Sequence, residues 1–266
     1  MNDDQIRAYL ERIGYHDTPA VDLVTLRALQ RNHLLTVPFE NLDIHLGRLI
    51  TLDVDAIVNK VVEQRRGGFC YELNGAFAAL LTALGFEVTM LEGRANTDDT
   101  PGVPFDHLTL RVTIGGDSYL ADVGFGAFSD EPLDLADRGD QEDTAGVFRF
   151  VDRDDGWVDV LQDGARTFRY SPVSHVLQDF QPGCTHHQTS PDSHFPKRTV
   201  CSLRTPRGRV TVSELSLTET EDGIKTTDDV PAGELGRLLA DRFGVLLDAA
   251  AVEKLVPAVA RPQPSE

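Results

Sequence analysis

Cysteine is scarce in this 266-residue chain: Cys70, Cys184 and Cys201 are the only three. That is an odd number in a chain too long to depend on disulfides, so reduced thiols are expected. Basic residues are also in short supply. Twenty-five Lys and Arg stand against 43 Asp and Glu, a formal charge of −18, and a field of that sign repels polyanions and argues against broad nucleic-acid binding. No apolar run approaches the roughly 18 residues of a membrane span. The opening Met1-Asn2-Asp3-Asp4 carries neither a basic nor an apolar region, so a cytoplasmic location is expected. Internal repeats and low-complexity segments are absent. What remains is a globular composition, 41% apolar and 26% charged, long enough for one large domain or two of about 150 residues.

Helical periodicity dominates the first 86 residues. Ile6, Leu10 and Ile13 share one helix face, and Pro19 opens a second amphipathic stretch through Leu23, Leu26 and Leu29, with Pro38 beyond its end. Asp53 reads as the N-cap of a third helix carrying Ile57, Val61 and Val62. A fourth follows Cys70, with Leu73, Phe77, Leu80, Leu81 and Leu84 on one face and Gly85 as terminator. From Phe86 the period shifts towards two, with strand-like runs at 86–92, 107–114, 118–124, 147–151, 157–162 and 166–171. Their spacing suggests an antiparallel sheet or small barrel. A polar, Pro-rich stretch from Gln181 to Lys197 separates these from strands near 198–205 and 208–219 and helices at 232–242 and 248–256, and the tail Arg261 to Glu266 is expected to be disordered.

The richest string is Arg65-Arg66-Gly67-Gly68-Phe69-Cys70-Tyr71-Glu72-Leu73-Asn74, a flexible turn delivering a cysteine to a helix N-terminus. Unpaired N–H groups and the helix dipole there stabilise a thiolate, lowering a thiol pKa from about 8.5. The two glycines let a substrate approach the backbone, whose N–H groups suit an oxyanion. Taken alone, Cys70 reads first as a small buried apolar residue, and its setting is what turns the reading towards a nucleophile.

A second constellation runs from Asp106 to Gly126. If Gly115-Gly116 forms a two-residue turn, Ile114 faces Asp117, Asp122 lies opposite Thr109, and His107 and Asp122 become diagonal neighbours on one face. A three-residue loop would reverse the parity and turn Asp122 away. A carboxylate beside an imidazole fixes its tautomer and supports the imidazolium, leaving the other ring nitrogen for a nucleophile such as Cys70.

Arg66 to Asn74 closely resembles the nucleophile motif of the arylamine N-acetyltransferases. Val37-Pro38-Phe39-Glu40-Asn41-Leu42 is similar to that family's N-terminal signature, His107-Leu108 to its histidine motif, Asp122-Val123-Gly124-Phe125-Gly126 to its aspartate motif, and Ser190-Pro191-Asp192-Ser193-His194-Phe195 to a later segment. The resemblance spans nearly the whole chain. It implies an α+β fold in three parts: a helical bundle over 1–86 carrying the nucleophile, an antiparallel β-barrel over 87–185 carrying His and Asp, and a linker with an α/β lid over 186–266. It implies a cysteine-protease-like triad of Cys70, His107 and Asp122, with acetyl-coenzyme A as acyl donor and an arylamine or arylhydrazine as acceptor. Gly124, Phe125 and Gly126 would border the acyl and pantetheine site, Phe39 and Phe195 would line the arylamine side, and Tyr71 would flank the nucleophile.

Coenzyme A is a polyanion, so local charge must depart from the global balance. Lys197, Arg198, Arg204, Arg207 and Arg209 form a basic island without Asp or Glu over 196–210, suited to phosphates or else an ordinary solvated face. Cys184, His186, His187 and His194 crowd one loop without a second ligand pair, so no metal site is expected. An equivalent triad also serves cysteine hydrolases, and amide synthases that close macrolactams from carrier-bound thioesters share the fold; a binding module that has lost activity is the non-enzymatic alternative.

Overall fold

The computed structural model describes residues 1–97 and 100–256; the tail from Arg261 to Glu266 lies outside the described residues. Helix α1 (Asp3–Arg12) starts with a reciprocal cap: Asn2 accepts from the Gln5 N–H, and Gln5 returns the bond to the Asn2 N–H. Helix α2 (Leu23–Thr36) is capped by Asp22, not opened at Pro19, because the Asp22 carboxylate takes the Thr25 N–H. A five-residue helix α3 (Leu42–Leu46) was not expected. Asp53 caps α4 (Val54–Val62) as its position suggested, and α5 (Cys70–Ala83) begins on the nucleophile candidate itself.

Fourteen strands follow in chain order among the described residues, beginning with β1 (Phe39–Glu40) between α2 and α3. The barrel part holds β2 (Glu87–Thr97), β3 (Thr100–Pro101), β4 (His107–Ile114), β5 (Asp117–Ala121), β6 (Leu133–Asp134), β7 (Gln141–Asp143), β8 (Gly146–Asp152), β9 (Val158–Gln162) and β10 (Ala165–His175). They pair antiparallel in the order β6-β5-β4-β2-β10-β9-β8-β7, with β3 on β2. The ring nearly closes: the Gln141 side chain accepts from the Asp134 N–H at 2.8 Å and donates to its carbonyl at 3.0 Å, joining β6 to β7 where no ladder runs. Phe128, Phe148, Phe150, Val160 and Phe168 fill its interior.

The stretch expected to separate the sheets instead folds into α6 (Gln181–Thr189), whose Cys184 and His187 are buried. Beyond it lie β11 (Val200–Thr205), β12 (Gly208–Ser213), β13 (Ser216–Glu221), β14 (Ile224–Asp229), α7 (Leu235–Phe243) and α8 (Ala249–Leu255). The strand expected over 208–219 is two strands, turned at Glu214 with φ 54°. Strand β14 carries no period-two signal in the sequence, because every one of its residues is exposed and none must be apolar. These strands form a five-stranded sheet with β1 at one edge, Phe39 opposite Ser202, and Leu42 and Leu46 of α3 join its core with Val212, Leu239 and Phe243. Among the described residues no helix is long and apolar enough to cross a membrane.

Beneath the start of α5 lies a buried set of charges. Arg66 holds Glu40 at 2.7 Å and Asp43 at 3.1 Å; Lys60 holds Asp43 and Glu72, each at 2.7 Å. Arg48 reaches Asp43 from the rim at 3.4 Å, so three cations meet three carboxylates. Burial pushes the Asp43 carboxyl up, but Lys60 and Arg66 outweigh it and hold it below its ordinary value; at Glu72 burial prevails and the carboxyl is raised. Removing one partner of such a set strands a buried charge. Lys60→Met is therefore expected to lower unfolding free energy in urea by about 3–5 kcal/mol, and a loss below about 1 kcal/mol would show that the carboxylates do not depend on the ammonium.

Candidate active site

Cys70 occupies the first turn of α5, and what precedes it is packed rather than flexible. A Cβ on Gly67 would sit 1.8 Å from the Pro38 carbonyl oxygen, and one on Gly68 would sit 2.6 Å from a Glu72 carboxylate oxygen. The glycines therefore admit Pro38 and Glu72, not a substrate, to the backbone. Glu72 also accepts from the Phe69 N–H at 3.2 Å, satisfying one of the free donors at the helix start.

Gly115 and Gly116 both adopt positive φ, 61° and 103°, the turn that keeps a two-residue hairpin in register, and Ile114 pairs with Asp117. Parity then brings His107 and Asp122 together. The imidazole Nε2 donates to Asp122 Oδ2 at 2.6 Å, with both side chains almost wholly buried. Asp122 Oδ1 accepts from the Gly124 N–H and from Asn74 Nδ2, each at 2.8 Å. Burial pushes this carboxyl up, yet His107, Asn74 and Gly124 together hold it below the ordinary carboxylate value.

In the sequence Asn74 is marked only as the last residue of the nucleophile motif. It binds the Leu108 carbonyl at 2.6 Å and the Val123 N–H at 2.9 Å, so one amide joins α5, β4 and the loop after β5. Its spacing of four residues from Cys70 was the available signal, since both must then share a helix face. The glycine of the aspartate motif is equally constrained: a Cβ on Gly124 would lie 2.8 Å from Cys70 Cα.

Cys70, His107, Gly124 and Phe125 open into one cavity of about 450 Å³, whose other wall is Phe39 and Phe195. Phe125 stands edge-on to the His107 ring at 5.0 Å and stacks on Phe168. Asp106, His187, His194 and Arg198 also line the space, although sequence reasoning had not placed Asp106 there. Tyr71, expected to flank the nucleophile, is fully buried beneath it, its hydroxyl donating to the carbonyls of Phe105 and Asp106. Gly126 and Lys197 are not among the residues lining the cavity.

Of the basic island only Arg198 reaches this cavity. Arg204, Arg207 and Arg209 surround a separate hollow of about 650 Å³. There Arg204 pairs with Asp130 at 2.5 Å, Arg207 with Asp222, and burial followed by the Arg204 charge lowers Arg209 to about 10. Cys184 turns its sulfur to Gln188 Nε2 at 3.2 Å, and His187 and His194 belong to the cavity wall. Among the described residues no group of three or more His, Cys, Asp or Glu is arranged to hold a metal ion.

The thiol does not ionise by its helix position alone. Burial pushes Cys70 well above its ordinary value, the Leu108 N–H pulls it down, and the carboxylates of Asp106 and Asp122 push it up again. A sulfur so placed needs a base to take its proton before it can act as a thiolate, and the His107 imidazole, backed by buried Asp122, lines the same cavity.

The fold and this cavity define an N-acetyltransferase: the model of the N-acetyltransferase family matches residues 22–252. The chain is 33% identical to human arylamine N-acetyltransferase 1 over 95% of its length and 96% of that protein. The arylamine N-acetyltransferase of Salmonella typhimurium superposes with a TM-score of 0.90 at 27% identity, over 96% of this chain and 98% of that one. That of Mycobacterium marinum in complex with CoA gives 0.85 at 30% identity, over 94% and 98%. The chain belongs to the arylamine N-acetyltransferase family and is an enzyme.

Iodoacetamide reports on the thiol directly. Cys70 is 5% exposed while Cys184 and Cys201 are fully buried, so peptide mapping at neutral pH is expected to find Cys70 carboxamidomethylated first. His107→Gln should slow that reaction about tenfold or more by removing the proton acceptor, and equal rates at all three cysteines would contradict a tuned thiol.

Proposed function

We propose that the enzyme moves an acetyl group from acetyl-coenzyme A to an aromatic amine or hydrazine in two half-reactions through Cys70. His107 takes the thiol proton through Nδ1, because Nε2 is committed to Asp122 at 2.6 Å. The sulfur bonds to the acetyl carbon, and coenzyme A leaves as the carbon–sulfur bond of the donor breaks, taking its proton from the imidazolium. The amine nitrogen then attacks the acetyl-cysteine, His107 accepts the amine proton, and the thiol is reformed as the amide departs. Asp122 supports the imidazolium in both directions. The observation that carries this reading is that His107, held by the buried Asp122, lines the same cavity as Cys70.

Within the cavity, Gly124 and Phe125 border the acyl and pantetheine side, with Gly126 next in the chain but outside the lining, and Phe39 and Phe195 the amine side. The Mycobacterium marinum relative was solved with CoA; in this reading its phosphates go to the exposed Arg198 at the cavity rim, with the exposed Lys197, outside the lining, as its neighbour in the chain. The chain divides as a helical part over 1–86, a barrel over 87–185 and a lid over 186–266, and works in the cytoplasm. Aromatic walls restrict water, which would otherwise hydrolyse the thioester.

Intact mass spectrometry after mixing with acetyl-coenzyme A tests the pathway. One acetyl group should appear on the Cys70 peptide, persist, and leave on addition of an aromatic amine; Cys70→Ala should acquire none. Loss of the group to water would mark a hydrolase, and no acetylation at all would favour a carrier-bound thioester donor. Arg198→Ala is expected to raise the KM for acetyl-coenzyme A about three- to tenfold, the weight of one exposed charge-assisted contact. An unchanged KM would remove Arg198 from the phosphate site.

A further inference from the structure

Asp106 and His107 are neighbours in sequence with different partners: His107 meets Asp122, and Asp106 meets α6. Asp106 Oδ1 lies 2.9 Å from His187 Nε2, and Oδ2 accepts from the Ala95 N–H at 2.8 Å. A carboxylate only accepts, so His187 carries its proton on Nε2. The other nitrogen, Nδ1, lies 3.0 Å from Ser193 Oγ, which in turn accepts from the Phe195 N–H at 3.2 Å. The imidazole also stands edge-on to the Phe195 ring, centroids 5.1 Å apart. From the other side, Asn41 and His45 hold the Phe195 carbonyl at 3.0 and 2.9 Å. The aromatic wall facing Phe39 is thus tied, through Ser193, His187 and Asp106, to the segment that delivers the imidazole.

A second observation shows how tightly α6 is seated on that segment. Phe105 adopts φ 58°, a strained conformation for a residue other than glycine, with its N–H on Glu92 Oε1 and its carbonyl on the Tyr71 hydroxyl. Gly183 of α6 packs directly against it: a Cβ there would lie 2.1 Å from the Phe105 carbonyl oxygen. That contact joins the same two segments as the Asp106–His187 pair. His107 is oriented by Asp122, which Asn74 and Gly124 hold in turn, and none of these bonds passes through His187.

We infer that Asp106 and His187 are positioning residues for the acceptor wall, and thereby determine which aromatic amines the acetyl-enzyme receives. The inference rests on the reading of Cys70 as the acyl carrier. It separates the two half-reactions, because a displaced Phe195 harms the fit of a flat amine more than the attack on a thioester.

The test compares His187→Leu, His187→Gln and Gly183→Ala with the unaltered enzyme. Release of coenzyme A in a single turnover reports the first half-reaction, and KM over a panel of ring-substituted anilines reports the second. In His187→Leu the amine KM should rise about tenfold and the ranking of the panel should change, while the single-turnover rate falls less than about threefold. His187→Gln, which keeps an N–H near Asp106, should recover most of the loss. Gly183→Ala keeps both side chains but forces α6 outward, and should shift KM and ranking in the same direction. Equal losses in both half-reactions for His187→Leu, or unchanged KM and ranking in it and in Gly183→Ala, would overturn the inference. Absence of acetyl-Cys70 in the unaltered enzyme would instead overturn the reading beneath it.

Discussion

The site depends on one buried carboxylate. Asp122 is 1% exposed, and an ion taken that far from water is tolerated only when its oxygens are fully engaged. Oδ2 is engaged by His107 on β4; Oδ1 is engaged by Asn74 on α5 and by the Gly124 N–H in the loop after β5. Helix α5 must meet a hairpin that follows it far along the chain for the charge to be satisfied at all. The same bonds set the spacing between the helix bearing the sulfur and the strand bearing the imidazole, so the assembly of the fold and the placing of both groups about one cavity are a single constraint.

Two kinds of packing hold the cysteine to that carboxylate. Gly124 presses on the Cys70 backbone from the barrel side, while Gly67 and Gly68 accept Pro38 and Glu72 from the helical side. Close backbone approach of this kind leaves little room for adjustment, since interiors are packed as densely as organic crystals. Beneath it, the pairing of Lys60 with Glu72 and of Arg66 with Glu40 fixes the turn electrostatically. Glu72 takes part in both systems: it binds the ammonium of Lys60 and caps the Phe69 N–H.

Features that depend on local periodicity were legible in the sequence, and features that depend on distant partners were not. The parity of the hairpin could be read because Gly115-Gly116 is short and both residues tolerate positive φ. Cys70 could be placed because the apolar spacing behind it is long and regular. Nothing local marks Asn74 as the partner of Asp122, which lies 48 positions on. Helix α6 was hidden for a related reason: its sequence, Gln-Pro-Gly-Cys-Thr-His-His-Gln-Thr, lacks an apolar stripe because its buried face includes a histidine satisfied by Asp106 and Ser193. The glycines before Cys70 suggested mobility, whereas they answer to the atoms pressed against them.

The charge of the chain finds a similar resolution. With a formal −18, long-range attraction for a polyanion is absent, and recognition must come from cations within a Debye length of the site, about 8 Å at physiological salt. The basic island could not supply five such cations as a block, because folding distributes it. Arg204 and Arg207 are already neutralised by Asp130 and Asp222, and Arg209 is held in an environment that disfavours its charge. Arg198 differs, being 72% exposed, 3.7 Å from its nearest carboxylate on Glu214, and at the rim of the cavity that holds Cys70. A loosely paired cation in that position is cheap to redirect towards an incoming phosphate, since an exposed ion pair contributes only about 0–1 kcal/mol. Acidity over the surface and affinity for an anion at the mouth are therefore compatible, provided the contact is short-range and confined to one edge of the active cavity.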